Sequence, residues 1–129
     1  MSHPRLGRIQ LKIMQVLWEH GSANARQITE ALSREKPIAH STVQTLLRKL
    51  EAKGAVRHEV HDRTFVFKPL IDSRSVTRSA TRELLERLFG GSASGLVAHL
   101  LKEERISQDE LQAIRGLIDR HSAGQKEQS

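Results

Sequence analysis

Apolar residues recur every three or four positions over the first fifty residues, and this spacing is typical of helices that pack by one face. The three stripes are Leu6, Ile9, Ile13, Val16 and Leu17, then Ala25, Ile28 and Leu32, then Val43, Leu46, Leu47 and Leu50. Gly21, Pro37 and Gly54 follow the successive stripes as breakers. The pattern therefore predicts three consecutive helices, and Trp18 of the first is predicted to pack in the core.

Two pairs of polar residues predict where the second and third helices begin. Asn24 followed by Gln27 resembles a capping box, in which each side chain bonds the backbone N–H of the other residue. Ser41 and Gln44 have the same spacing at the start of the third stripe. We therefore expect the third helix to begin at Ser41 or one or two residues before it.

Beyond Gly54 the apolar spacing changes to every second residue, as in a β-strand. The alternating positions are Val56, His58 and Val60 on one strand and Phe65 and Phe67 on the next. A turn at His61, Asp62 and Arg63 would join the strands into a hairpin. Three helices followed by a hairpin predict a winged helix-turn-helix over residues 1–70, with Arg63 at the tip of the wing.

A different, helical pattern begins after Pro69. Three amphipathic helices are predicted over residues 71–121, the first ended by Gly90 and Gly91 and the last opened by a capping box at Ser107 and Glu110. A segment of about fifty residues has little capacity to bury three apolar stripes within one chain. The stripes are therefore predicted to pair with a second copy, and the residues expected in the dimer are Leu84, Leu88, Leu96, Leu100, Leu111 and Ile118. The polar residues 122–129 are predicted to be a disordered tail.

The outward face of the third predicted helix carries side chains that can read DNA. Hydroxyl and amide groups come first and basic groups follow: Ser41, Thr42, Gln44, Thr45, Arg48 and Lys49. In a helix lying in the major groove, N-terminal residues contact base edges while Arg and Lys reach phosphate or guanine. Gln44 suits adenine, the Thr methyl groups suit thymine, and Arg63 on the wing suits a phosphate. Which base is read stays open.

The distribution of charge supports a polyanionic partner for the first half of the chain. Up to Leu70 there are 12 Lys and Arg against 6 Asp and Glu, and the remainder has 9 of each. Nucleic acid is favoured over a membrane surface, because the basic residues are spread over several elements. The chain has no cysteine, no apolar run long enough to span a membrane and no signal peptide, so we expect a cytoplasmic protein without membrane insertion.

The histidines give only a weak indication of metal binding. His58 and His61, with Glu59 and Asp62 beside them, could offer ligands to a divalent cation. Their spacing on a strand and turn favours surface histidines beside a wing, and His99 fits a dimer seam or a helix end better than a sensor site. No metal or cofactor is predicted.

A row of arginines on the long helix is a further candidate for phosphate contacts. Arg74, Arg78 and Arg82 fall on one face, where they could touch flanking DNA. Ion pairs with acids nearby, such as Glu83 and Glu86, are the favoured interpretation.

Five segments occur in an order that resembles the penicillinase repressor family (BlaI and MecI, with the copper-responsive CopY branch). They are LKIMQVLWEHG, ARQITEAL, STVQTLLRKLEAKG, RTFVFKPL and LFGGSASGLVAHL, within residues 7–121. The resemblance implies a homodimeric repressor that binds a palindromic operator in double-stranded DNA through its winged helix. It assigns recognition to Ser41, Thr42, Gln44, Thr45 and Arg48 and places Arg63 on the wing.

Two departures from the family pattern bear on how repression ends. Antibiotic-responsive members are cleaved at an Asn-Phe pair just after the double glycine, where this chain has Ser92 and Ala93. Copper-responsive members carry a C-terminal cysteine cluster, which this chain lacks. Proteolysis by a membrane sensor protease is therefore in doubt, thiolate sensing is excluded, and direct sensing of another metal or a small ligand stays open.

Two other classes of function fit the sequence less well than a repressor does. A protein-binding winged helix would need an exposed apolar face, whereas the third helix presents polar and basic groups. A small metal-dependent hydrolase would need a convergent cluster of bases or ligands beyond the histidine pair. We therefore predict a protein that is not an enzyme.

Overall fold

The structure, a computed structural model, describes residues 5–128 of the 129-residue chain. Its elements, in chain order, are α1 (Arg8–His20), β1 (Ala23–Asn24), α2 (Ala25–Ser33), α3 (His40–Ala52), β2 (Val56–His61), β3 (Thr64–Pro69), α4 (Ser73–Phe89), α5 (Ala93–Glu103) and α6 (Gln108–Gln128). The predicted class, mainly helical with a small β-hairpin wing, is confirmed. Within the described residues, no helix has the length and apolar character needed to cross a membrane.

The sheet contains one strand, β1, that the sequence pattern did not predict. The strand order is β1-β3-β2, and both neighbours of β3 run antiparallel to it. Ala23 pairs with Phe67, and Asn24 pairs with Val66. A strand of two residues is too short to show alternation, so only its pairing with β3 reveals it.

The hairpin turn is shorter than predicted. His61 pairs with Thr64 at the end of the ladder, which leaves Asp62 and Arg63 as the two turn residues. Both have positive φ angles, 50° and 65°. Two successive residues with positive φ form the type I′ turn, whose twist matches that of the flanking strands. This turn places Arg63 at the tip of the wing.

The core of the first compact unit, Met1–Glu83, lies between α1, α2, α3 and the sheet. Its fully buried large side chains are Ile13, Met14, Leu17, Ile28, Val43, Leu47, Leu50 and Val56. The predicted stripes of α2 and α3 are thus confirmed at their centres. In α1 the buried stripe runs through Met14, whereas the predicted Val16 is only partly buried at the edge of the core.

The two predicted N-caps have different outcomes, although both helices begin where the sequence predicted. At α2, the Asn24 side chain accepts from the backbone N–H of Gln27 at 2.8 Å and the Gln27 side chain accepts from the backbone N–H of Asn24 at 2.9 Å. At α3 the predicted cap is wrong, because the helix begins at His40 and Ala39 is its N-cap without a side-chain bond. Ser41 therefore lies inside the first turn of α3.

The C-terminal end of α3 is fixed to the beginning of α1. Lys53 Nζ donates to the backbone oxygen of Arg5 at 2.9 Å and to Gln10 Oε1 at 3.1 Å. Gly54, with φ of 81°, then turns the chain into the sheet. These bonds hold α3 at one end while its N-terminal half remains accessible.

The second compact unit, Leu84–Ser129, begins within α4. The boundary between the two units therefore follows Glu83, whereas the predicted domain boundary follows residue 70. Two contacts attach this part of the chain to the first unit. Trp18 Nε1 donates to the backbone oxygen of Ile71, just before α4, at 2.8 Å, and Arg5 forms an ion pair with Glu83 in α4.

The helices of the second unit leave their apolar stripes largely uncovered. Four of the six residues predicted for dimerisation are exposed, with relative exposure of 41% for Leu84, 69% for Leu88, 39% for Leu100 and 57% for Ile118. Leu96 and Leu111 are half-buried. Ser107 Oγ caps α6 by accepting from the Glu110 N–H at 3.1 Å.

The C-terminal tail differs from the prediction of disorder. Residues 122–128 continue α6 as helix, and Ser129 lies outside the described residues. Apart from one glycine, the residues 122–128 are compatible with a helix. They extend a helix that has already formed, so the free-energy cost of starting a new helix does not arise.

Candidate nucleic-acid interface

The outward face of α3 is formed as the sequence predicted. Val43, Leu47 and Leu50 are completely buried and hold the helix on the core. The residues predicted to contact DNA are all exposed on the remaining surface of the helix: Ser41, Thr42, Gln44, Thr45, Arg48 and Lys49. The helix is therefore attached by one side and presents a polar, basic surface on the other.

The hydroxyl group of Thr45 is already engaged within the helix. Thr45 Oγ1 donates to the backbone oxygen of Ser41 at 3.0 Å. Because this bond uses the hydroxyl proton, the methyl group is the part of Thr45 that is available to an apolar base edge. The 5-methyl group of thymine is such an edge in the major groove.

A cleft of about 540 Å³ brings part of the predicted site together. It is lined by Gln44 and Arg48 from α3 and by Arg63 from the turn of the wing. Phe65, Phe67 and Leu47 form its apolar wall. Ser41, Thr42, Thr45 and Lys49 do not line the cleft and lie elsewhere on the exposed face of α3.

Two residues of the cleft, Arg26 and His40, were not predicted. Arg26 lies in the first turn of α2, and His40 is the first residue of α3. Arg26 could have been assigned to the site from the sequence, because it lies outside the apolar stripe of the second predicted helix and is therefore exposed. His40 was missed because the predicted outward face was listed from Ser41 onward, although the predicted start of the helix included this position.

The wing is attached to α3 through Glu51 and His58. One oxygen of Glu51, Oε2, accepts from His58 Nδ1 at 2.6 Å and from the His58 backbone N–H at 3.0 Å. The His58 ring stacks on Phe65, with ring centres 4.2 Å apart and planes 16° from parallel. These contacts fix the base of the wing relative to the recognition face.

On the opposite face of the wing, Glu59 contacts three basic side chains. Its carboxylate accepts from Arg57 at 2.6 Å and lies 3.2 Å from His61 Nε2 and 3.3 Å from Lys68 Nζ. These hydrogen bonds, that of Arg57 first, lower the pKa of Glu59 from 4.5 to about 2. Arg57 and Lys68 are thus partly neutralised within the wing.

Three basic residues of the candidate interface carry no such counter-ion. Within residues 5–128, Arg48, Lys49 and Arg63 form no ion pair with a carboxylate. Arg26, in contrast, lies 3.5 Å from Glu30, one turn along α2. Arg48 and Lys49 on α3 and Arg63 at the tip of the wing are therefore available to an external anion.

The histidines of the wing are bonded to carboxylates on its two faces. His58 is bonded to Glu51, and His61 is bonded to Glu59. In the part of the chain that the structure describes, no group of three or more His, Asp or Glu side chains could hold a metal ion. His99, in the second unit, contacts Phe89 edge to face with ring centres 5.7 Å apart.

Comparisons with known proteins give one consistent result. The sequence model of the penicillinase repressor family matches residues 6–120. A penicillinase repressor of Bacillus licheniformis is 28% identical over 124 residues, which are 96% of this chain and 97% of that protein. The solution structure of the DNA-binding domain of the repressor BlaI has a TM-score of 0.51 and 34% identity, covering 58% of this chain and 93% of that one.

A second solution structure shows a similar protein with DNA bound. It is the monomeric form of Bacillus licheniformis BlaI in complex with the blaP half-operator. Its TM-score is 0.50 at 34% identity, and it covers 57% of this chain and 90% of the BlaI chain.

Proposed function

This chain belongs to the penicillinase repressor family, and we propose that it is a transcriptional repressor that binds a palindromic DNA operator as a homodimer. The observation that carries the proposal is the exposed face of α3. In the part of the chain that the structure describes, its Arg48 and Lys49 have no carboxylate partner, and neither has Arg63 of the wing. A basic, polar helix face next to a basic loop suits a duplex, with the helix in the major groove.

Within this proposal the residues of the interface divide by role. Those in the N-terminal half of α3 contact base edges: Ser41, Thr42, Gln44 and Thr45. Arg48 and Lys49 contact guanine or phosphate, and Arg63 contacts a phosphate at the side of the groove. The side chains of Ser41, Thr42 and Thr45 are short, so they discriminate only when α3 lies deep in the groove.

The proposed dimer is supported by the uncovered stripes of the second unit. Leu88, Leu117 and Ile118 are each more than half exposed, which is costly for large apolar side chains in water. A second copy has the same stripes to offer, and two-fold pairing is the commonest way to cover such a surface. The monomeric form of the relative BlaI is in complex with a half-operator, which supports the proposal that each chain of the dimer binds one half-site.

A repressor acts where the chromosome is, so we propose that this protein is cytoplasmic. We propose that it has no enzymatic activity.

We also propose how the protein is released from DNA. Ser92 and Ala93 occupy the place of the family's cleaved pair, and Ser92 Oγ caps α5 by accepting from the Gly95 N–H at 2.9 Å. We expect release without cleavage there, by a ligand or metal rather than through a membrane sensor protease.

A second candidate function is supported by one observation on the wing. Val60 and Phe65 are 59% and 51% exposed, and a protein-binding winged helix would use such an apolar pair. The two candidates are separated by crosslinking the protein to DNA in its own cells and sequencing the recovered fragments. A shared palindromic motif upstream of a few genes supports the repressor, and fragments without any common motif contradict it.

A further inference from the structure

His40 is held in a defined orientation by a chain of two hydrogen bonds between α3 and α2. Thr29 Oγ1 donates to the backbone oxygen of Ala25 at 2.7 Å. Thr29 Oγ1 also lies 3.2 Å from His40 Nδ1. Because a hydroxyl has one proton, and that proton points to Ala25, the oxygen accepts from His40. His40 Nδ1 therefore carries a hydrogen, and the remaining ring nitrogen, Nε2, is the one that can gain or lose a proton.

Cationic side chains predominate in the cleft that contains His40. The cleft that it lines also receives Arg26 from α2, Arg48 from α3 and Arg63 from the wing. Of the acids nearby, Glu51 lines the cleft but is bonded to His58, and Glu30 pairs with Arg26. The cleft is therefore positively charged without DNA. A phosphate entering it would place a negative charge beside His40.

We propose that His40 is a proton-linked phosphate contact, positioned by Thr29, in a cationic cleft shared with Arg26, Arg48 and Arg63. On binding, Nε2 takes one proton from solvent and donates it in a hydrogen bond to a phosphate oxygen. A neutral Nε2 presents a lone pair, which a phosphate oxygen cannot bond. Binding therefore consumes a proton, and affinity falls as pH rises through the range in which histidine titrates.

This inference rests on the proposed DNA-binding function and deepens it. Phosphate contacts carry no sequence information, so the probe is a duplex of mixed sequence of about 30 base pairs, long enough for two half-sites one helical turn apart. Titration calorimetry in buffers of different ionisation enthalpy counts the protons taken up on binding. The wild type is compared with His40→Gln and with His20→Gln, a matched control for an exposed histidine in the last turn of α1.

We expect His40→Gln to take up fewer protons than the wild type, by up to about one per chain. Its affinity should be about threefold to tenfold weaker at pH 6 and nearly equal at pH 8, as for the loss of one charged phosphate contact. His20→Gln should behave as the wild type. Thr29→Val, which removes the acceptor for Nδ1, should reduce the proton uptake, and Thr29→Ser should restore it.

Two results would overturn the inference. The first is equal proton uptake by the wild type and His40→Gln, with an affinity ratio that does not change with pH. The second is a Thr29→Val variant indistinguishable from Thr29→Ser, which would remove the positioning role even if His40→Gln did not fold. Failure of the wild type to bind any duplex would instead contradict the proposed function itself.

Discussion

Glu51 on α3 and His58 on β2 join the recognition helix to the wing. His58 Nδ1 and its own backbone N–H both donate to Glu51 Oε2, at 2.6 and 3.0 Å. A single carboxylate oxygen thus fixes both the ring and the backbone of the strand. Because the wing tip carries Arg63 on a two-residue turn, the position of that arginine relative to α3 depends on this junction.

Replacing Glu51 should loosen the wing more than it unfolds the protein. Both side chains are about one third exposed, so Glu51→Ala should cost only about 1 kcal/mol of unfolding free energy. The loss should appear in binding to random DNA, where Arg63 is expected to contribute a phosphate contact. Glu51→Gln, which keeps one acceptor, is the matched control. Chemical denaturation and DNA titration measure the two effects, and equal binding by all three proteins would contradict a role for this junction.

Thr45 provides a test of base reading by a methyl group. Thr45→Ser keeps the hydroxyl bond to Ser41 but loses the methyl, whereas Thr45→Ala loses both. If the methyl contacts thymine, both variants should lose about 1 to 3 kcal/mol of operator affinity and bind random DNA almost as the wild type does. Gln44→Ala should behave similarly. Equal losses on operator and random DNA would show that this face of α3 does not read bases.

Arg63 should contribute to affinity without discrimination. Arg63→Ala is expected to weaken binding to operator and random DNA together, since a phosphate contact is independent of sequence. The slope of log affinity against log salt should fall by about one unit, because one fewer phosphate is neutralised. Titrations at several salt concentrations measure this slope. An unchanged slope would place Arg63 away from the phosphates.

Leu88 should reveal whether the second unit forms a dimer. It is 69% exposed, so Leu88→Glu should cost little in the fold of one chain. In the proposed dimer the same change buries a charge and should produce monomers and weaken operator binding at least tenfold, since paired half-sites lose their linkage. Gln112→Glu, an exposed polar position on α6, is the control. Light scattering that finds the wild type monomeric at micromolar concentrations would contradict the proposed dimer.

The full-length protein should persist when the regulated genes are switched on. Ser92 and Ala93 offer no large apolar side chain at the place of the family's cleaved pair. Immunoblots during derepression should therefore show no fragment ending near Ser92, and such a fragment would contradict this prediction. Asparagine is also a good N-cap, so Ser92→Asn with Ala93→Phe should keep α5 capped and is the variant in which to look for regained cleavage.

Glu59 should contribute to stability at neutral pH and lose that contribution in acid. Its pKa is lowered to about 2 from 4.5 by Arg57, His61 and Lys68. The folded protein therefore binds this proton less readily than the unfolded chain, so the stabilisation is complete above pH 4.5 and is lost as the pH falls through about 2. Thermal melts of the wild type and Glu59→Gln should converge over that window. A difference between the two proteins that stays constant with pH would show that protonation of Glu59 is not linked to folding.

The sequence alone determined the features that depend on local spacing. Val43, Leu47 and Leu50 recur at helical intervals, and that spacing was sufficient to predict which side of α3 is buried and which side is outward. The same holds for the Asn24 capping box and for the hairpin, because periodicity, caps and turns involve residues only a few positions apart. The uncovered stripes of the second unit also follow from the sequence, since their apolar residues exceed what so short a segment can bury.

The tertiary structure decided what depends on residues far apart in the chain. Strand β1 exists only because Ala23 meets Phe67, and Glu51 meets His58 only because the sheet packs beside α3. Arg26 and His40 joined the candidate site for the same reason: their cleft is closed by a wing more than twenty residues further along the chain. Packing of the core brings these groups together, and no local pattern encodes the distance between two elements that meet only when the chain folds.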